Sequence, residues 1–131
     1  MEKRLDLSPL RRALAALELA LAQPKNEFIR DSVIQRFEYT YELSWKLLKR
    51  HLEEDEGVAN IDQLTRKQLF RAAVEKGLIR DVDAWFAYHR ARNDASHAYN
   101  QATAEEVYDA ARRFAPDACS LLDELERRSN A

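Results

Sequence analysis

The stretch from Ala87 to Asn100 gathers histidine, arginine, asparagine, aspartate, serine and tyrosine side chains into one short run of sequence. Within it, Arg92 and His97 carry the chemistry of phosphate transfer. A guanidinium is planar, permanently charged and able to hold two phosphate oxygens at once. An imidazole, with an ordinary pKa near ~6.5, gives or takes a proton at neutral pH. Together they suit RNA cleavage without a metal. His97 would act as general acid or base on the 2′-hydroxyl or the leaving oxygen, and Arg92 would hold the phosphate and stabilise developing charge. Asn93 and Ser96 are candidate binding groups beside them, and Arg90 adds to a basic rim. An arginine and a histidine at this spacing also occur in ordinary helices, where salt bridges and surface charge account for them.

Helical geometry sorts these groups. At ~100° per residue, His89, Asn93 and His97 share one face, while Arg92, Ser96 and Tyr99 share another. On an unbroken helix Arg92 and His97 lie ~140° apart. Their heads meet only through the length of the arginine, a local bend, or a two-fold partner that brings a second copy of each into one cleft. His89 is expected to be partly buried on the Trp85/Phe86 side, and Asp94 to be a surface charge. Ser96 adjoins His97 without facing it, which argues against a nucleophile–base pair. His51, His89, His97 and the lone Cys119 form no clustered metal-ligand pattern, so no metal site and no cofactor is expected. Both glycines stand alone, so there is no glycine-rich phosphate loop. Cys119 reads as a small core residue.

The elements that must position these residues are helices. Ser8-Pro9 reads as a helix start with Ser8 as N-cap, followed by Leu10, Leu14, Leu17 and Leu21 and a stop before Pro24. A second helix from about Glu27 to Glu54 carries the stripe Val33, Ile34, Phe37, Tyr41, Trp45, Leu48 and Leu52. Tyr39, Leu43 and Leu47 form a second apolar line, so this helix is either central or meets another chain. Its acidic exit, Glu53 to Glu56, is expected to fray. Thr65 to Gln68 fits a capping box for a short third helix that Gly77 terminates. Asp81 caps a fourth helix running to about Tyr99, with small residues at Ala84, Ala87, Ala91, Ala95 and Ala98. Thr103 to Glu106 is a second capping box, opening a last helix with a kink or break at Pro116. The predicted architecture is all-α: an antiparallel up-and-down four-helix bundle with one additional short helix, forming one domain over residues 1–131.

Composition agrees. At 131 residues, with 46% hydrophobic and 34% charged side chains, the chain can bury one core. Two glycines and three prolines leave long elements between few turns. The net charge of −2 gives no case for coating nucleic acid by bulk electrostatics. A single cysteine suits a reducing compartment. No stretch approaches the ~20 apolar residues of a membrane span, and the start, Met1 to Asp6, lacks an apolar signal core. The expected location is the cytoplasm.

Two segments carry a family likeness. Phe37-Glu38-Tyr39-Thr40-Tyr41-Glu42-Leu43-Ser44-Trp45-Lys46-Leu47-Leu48-Lys49 resembles the long second helix of the nucleotidyltransferase substrate-binding proteins, a branch of the HEPN superfamily. Arg92-Asn93-Asp94-Ala95-Ser96-His97-Ala98-Tyr99 resembles that superfamily's R-x4-H motif, in the R-x4-H-x-Y form of the HepT-type toxins. The resemblance implies a helical bundle that dimerises with its motif helices facing each other, made beside a small nucleotidyltransferase. It implies that Arg92 and His97 belong to a metal-independent RNA-cleaving site, and that Tyr99 is the tyrosine the transferase modifies with AMP to silence the toxin. Asn100-Gln101 stands where many relatives carry an acidic residue.

Three readings follow. The first is an endoribonuclease toxin held in check by its partner through AMPylation of Tyr99. The second is a non-catalytic subunit that presents a nucleotide or other substrate to the transferase. The third is a plain helical interaction protein.

Overall fold

A computed structural model describes residues 5–129, so the charged start from Met1 to Arg4 lies outside the described residues. The described chain is all-helical: α1 (Ser8–Leu21), α2 (Glu27–Glu54), α3 (Arg66–Glu75), α4 (Val82–Asp94) and α5 (Gln101–Ser129), with 3₁₀ turns at Ile61–Gln63 and Ala95–His97. The four longer helices form the bundle. α1 packs on α2, α5 lies against α1, α2 and α4, and short α3 leans on α4 and α2. No helix of the described residues is long and apolar enough to cross a membrane.

The cap signals decide most helix starts. Thr65 and Gln68 form the expected capping box on α3, through Gln68 N–H to Thr65 Oγ1 and Thr65 N–H to Gln68 Oε1. Asp81 caps α4 by accepting from Asp83 and Ala84. Asn26 caps α2 by accepting from Ile29. Ser8, expected as an N-cap, is instead the first residue of α1; Leu7 holds the cap position. The Asp6 carboxylate takes the Ser8 N–H at 3.0 Å, so an acceptor is already supplied before the serine.

Three further expectations are corrected. α4 stops at Asp94 rather than near Tyr99, tightening into the 3₁₀ turn at Ala95–His97. The Ser96 hydroxyl donates to the Asn93 carbonyl, and Asn100 N–H donates to the His97 carbonyl. The α5 start is capped by Asn100, whose Oδ1 accepts from Ala102 and Thr103, and not by Thr103, which lies inside the helix. Pro116 does not break α5, which runs through it. Its ring sits on the exposed face, where the missing N–H is tolerated. The neighbouring Arg113 carbonyl gains a donor from the Tyr88 hydroxyl at 3.2 Å.

The core is one continuous cluster drawn from all five helices. Phe37 and Tyr41 from α2, Trp85 and Tyr88 from α4, and Phe114 from α5 meet at its centre, with edge-on contacts at 5.2 to 5.7 Å from Phe114 to Phe37, Trp85 and Tyr88. The predicted α2 stripe is buried except for Trp45, which is half-buried. Thr40 and Ser44, also buried on α2, donate their hydroxyls to carbonyls one turn back. Along the second apolar line, Leu47 is buried, Leu43 half-buried and Tyr39 exposed. Cys119 is half-buried against the core rather than inside it, and burial pushes its thiol up.

The acidic end of α2 is tied down rather than frayed. His51, itself buried, places its two ring nitrogens 3.0 Å from carboxylate oxygens of Asp55 and Glu56. Arg128 reaches Glu56 from α5 and donates to the Lys76 carbonyl at the end of α3. Gly77, at φ +74°, turns the chain out of α3, and a side chain there would press on that same guanidinium.

Candidate active site

Arg92 occupies the last turn of α4 and is half-buried. Its Nε donates to Glu42 Oε1 at 3.1 Å, and its Nη1 lies 3.9 Å from Glu38 Oε2. The second oxygen of Glu42 accepts the Trp45 indole N–H at 3.0 Å. Glu42 is therefore held from one side by Trp45, and holds the arginine by its inner nitrogen. The terminal fork, the part that matches a phosphate, is engaged only by the longer contact to Glu38.

His97 lies in the 3₁₀ turn after α4 and is exposed. The histidine hydrogen bonds among the described residues belong to His51 and His89, not to His97. Its ring nitrogens face no protein partner there. The Tyr99 ring stands nearly perpendicular to it, with centroids 6.1 Å apart, and Tyr99 is 87% exposed. No hydrogen bond joins Arg92 to His97 among the described residues. Because α4 ends at Asp94, the straight-helix angle between them no longer applies.

The remaining candidates fall around these two. Asn93 and Ser96 are exposed at the end of α4; the Asn93 amide nitrogen is 3.5 Å from His89 Nε2, and the Ser96 hydroxyl is committed to the Asn93 carbonyl. Arg90 is exposed, with its guanidinium over the Phe86 ring at 5.4 Å. His89 is half-buried against Phe86, as its neighbours in sequence imply. It also meets a partner that no spacing singles out: the Tyr41 hydroxyl is hydrogen-bonded to its Nδ1 at 3.1 Å. Burial pushes the Tyr41 phenol up, so it stays protonated. Burial, reinforced by the Arg66 charge, pushes His89 down and keeps it neutral.

Glu38, Glu42 and Trp45 are the residues that sequence reasoning missed. Their spacing of i, i+4 and i+7 marks one face of α2, and that regularity was the available signal. A groove of about 540 Å³ between α1 and α2, lined by Pro9, Ala13, Tyr39, Leu43 and Lys46, reaches the same Glu42. Among the described residues, no three His, Cys, Asp or Glu side chains are grouped to hold a metal ion.

The described chain is thus an all-helical bundle with an arginine, a histidine and an exposed tyrosine near the junction of its last two long helices. Residues 5–127 match the family described as nucleotidyltransferase substrate binding protein like, and the chain belongs to that family. It is similar to the probable ribonuclease HepT of Haemophilus influenzae, at 35% identity over 98% of this chain and 97% of the relative. A solved Haemophilus influenzae structure, described as the fold of a substrate-binding domain of a nucleotidyltransferase, matches with a TM-score of 0.84 and 33% identity, over 92% of this chain and 99% of that one. A crystal structure from Thermus thermophilus matches with a TM-score of 0.78 and 34% identity, over 88% and 98% of the two chains.

Proposed function

We propose that this chain is the RNA-cleaving partner of a minimal nucleotidyltransferase, acting as a two-fold dimer and silenced by AMPylation of Tyr99. The observation that carries this reading is the contrast between Arg92 and His97. Arg92 is fixed through its inner nitrogen, whereas His97 is exposed, with no partner for its ring among the described residues. One group is pre-positioned to hold a phosphate, and the other is free to exchange a proton. The HepT name of the Haemophilus relative supports the same chemistry.

In this reaction His97 withdraws the proton of a 2′-hydroxyl. The 2′-oxygen attacks the adjacent phosphorus, the P–O5′ bond breaks with the 5′-oxygen taking a proton from solvent, and a 2′,3′-cyclic phosphate and a 5′-hydroxyl form. The Arg92 fork stabilises the charge that builds on the phosphoryl oxygens. The chemistry needs no metal, so cleavage should persist in a chelator. A dimer supplies the missing convergence by setting Arg92 of one copy near His97 of the other; the half-exposed line of Tyr39 and Leu43 on α2 offers apolar surface for it. AMP on the Tyr99 oxygen would place a phosphate beside His97, where it repels RNA and competes for Arg92. The site of action is the cytoplasm.

The test is cleavage of a labelled RNA by the purified chain. His97→Ala should lower the rate by about 10²- to 10⁴-fold and leave the thermal melt unchanged. An RNA trace that is the same for both proteins removes the enzyme reading. Sedimentation at micromolar concentration should give a dimer mass, and a monomer would contradict the two-fold arrangement. A second reading, a non-catalytic subunit that binds a nucleotide for the transferase, draws support from the description of the Haemophilus structure. Nucleotide affinity that is lost in Arg92→Ala, with no RNA cleavage by the wild type, would select it.

A further inference from the structure

We propose that Trp45, Arg66, Lys67, Phe86 and Arg90 form a docking surface for single-stranded RNA beside Arg92, holding a nucleotide that flanks the one cleaved. The proposal rests on the reading of the chain as an RNA-cleaving subunit. Three elements build the surface: Trp45 projects from α2, Arg66 and Lys67 open α3, and Phe86 and Arg90 come from α4. The Arg66 guanidinium carbon sits 3.4 Å from the centre of the Trp45 indole. The Lys67 ammonium and the Arg90 guanidinium lie 5.1 and 5.4 Å from the centre of the Phe86 ring. Both rings are half-buried rather than in the core. The Thr65–Gln68 capping box fixes the first turn of α3, and so the origin of two of the cations.

The three cations differ from Lys25, Arg30 and Arg128, which also reach other elements but are all neutralised by carboxylates. Arg66, Lys67 and Arg90 meet no carboxylate within salt-bridge distance among the described residues. Three uncompensated charges seated on aromatic rings in a chain of net charge −2 are a local anion site, not a consequence of bulk composition. Stacking occupies the face of a guanidinium and leaves N–H groups at its edge to bind a phosphate, with Arg66 also lying beside the Tyr41 hydroxyl.

The surface is continuous with the candidate active site. Glu42 accepts from the Trp45 indole through one oxygen and from Arg92 through the other, at 3.0 and 3.1 Å. One carboxylate thus separates the Arg66–Trp45 stack from the arginine that would hold the scissile phosphate. Arg66 is also near enough to His89 to help hold it neutral, after burial.

The combination selects the ligand class. Phosphate alone would use the cations and leave the rings idle. An unpaired strand offers a phosphate and an exposed base face at every nucleotide, and both guanidinium planes and aromatic rings stack on bases. A duplex hides those faces.

Binding of a short fluorescent single-stranded RNA to the full-length His97→Ala protein, at two salt concentrations, tests the assignment. Replacing Arg66, Lys67 and Arg90 together by Gln should weaken binding by about tenfold or more, and should reduce the slope of log affinity against log salt by about two. Phe86→Leu keeps the apolar bulk but loses the ring, and should weaken binding about fivefold with the salt slope unchanged. Unchanged affinity and slope in the triple variant would overturn the proposal. So would a triple variant that loses the nucleotidyltransferase but keeps its RNA affinity, since that assigns the surface to a protein. RNA binding that depends on Arg66 in a chain that never cuts RNA leaves the surface standing without the ribonuclease reading. Cleavage that depends on His97, with RNA affinity indifferent to the triple change, overturns the surface alone.

Discussion

Glu42 sets the geometry of Arg92, and its charge matters less than the direction from which it binds. It grips the guanidinium at Nε and leaves the outer fork with only a 3.9 Å contact to Glu38. Glu42→Ala should therefore release the arginine and lower RNA cleavage by about ten- to a hundredfold, the scale of a small misplacement at a reacting centre. Glu42→Gln, which keeps an oxygen for Nε, should retain more activity than Ala. A half-exposed ion pair contributes at most about 1 kcal/mol to stability, so neither change should move the thermal midpoint far. Cleavage rates and melts on the same preparations check this, and equal activity in all three proteins would show that Glu42 plays no positioning role. At this scale the sequence was informative about the motif itself. Arg92, His97 and Tyr99 are candidates by type and spacing within one short stretch. Glu42 did not, because it meets Arg92 across 50 residues of chain, and only packing of α2 on α4 puts them together. The Tyr41–His89 bond was hidden for the same reason: Tyr41 reads as one more core aromatic until its hydroxyl is seen to have a partner.

At the scale of elements, the junction between α4 and α5 controls where His97 and Tyr99 stand. Neither glycine nor proline marks the end of α4, so a continuous helix to Tyr99 was the natural reading. The stop comes from side chains that take over backbone bonds. Ser96 engages the Asn93 carbonyl, and Asn100 caps the next helix. The sequence offers the Thr103–Glu106 box there, and the structure uses Asn100 instead. The box loses because the Asn100 side chain takes the first free N–H groups three residues earlier, which leaves Thr103 inside the first turn. Glu105 in that turn pairs with Lys25 and Arg30 and so ties the start of α5 to the start of α2. Asn100→Ala should cost about 1 kcal/mol in a urea titration, the usual value of an N-cap, and should lower cleavage as well by loosening the turn that carries His97. Thr103→Ala should do neither, and an equal cost at both positions would refute Asn100 as the cap. The break expected near Pro116 is absent, since α5 runs through it. A proline breaks a helix when its lost bond is buried, and this one faces solvent, with Tyr88 serving the nearby Arg113 carbonyl. Tyr88→Phe removes that donor and the bond to Asp117, and should destabilise the protein by about 1 to 2 kcal/mol.

For the molecule as a whole, the apolar pattern predicted the bundle, because core residues recur at helical spacing on every long element. It did not predict the polar clamp that links the ends of α2, α3 and α5. There Arg128 of α5 joins Glu56, Glu124 and the Lys76 carbonyl, and Glu56 also meets the buried His51. The clamp has a calculable sign with pH. Burial alone would raise Glu56, but His51 and Arg128 outweigh it and hold the carboxyl below its ordinary 4.5. Hydrogen bonds from Arg127 and Arg128 hold Glu124 at about 2. A carboxylate whose folded pKa is depressed adds stability above its unfolded pKa and loses it as pH falls through the folded value. The clamp should therefore be intact at neutral pH and weaken from about pH 4.5 down toward about pH 2. Partial exposure of both carboxylates, at 25% and 24%, keeps the effect modest. The thermal midpoint should fall across this window, and Arg128→Gln should flatten the fall while lowering the midpoint at neutral pH. If Arg128→Gln and the wild type lose stability in parallel as the pH drops, the acid response belongs to other carboxylates and this clamp does not link α2 to α5.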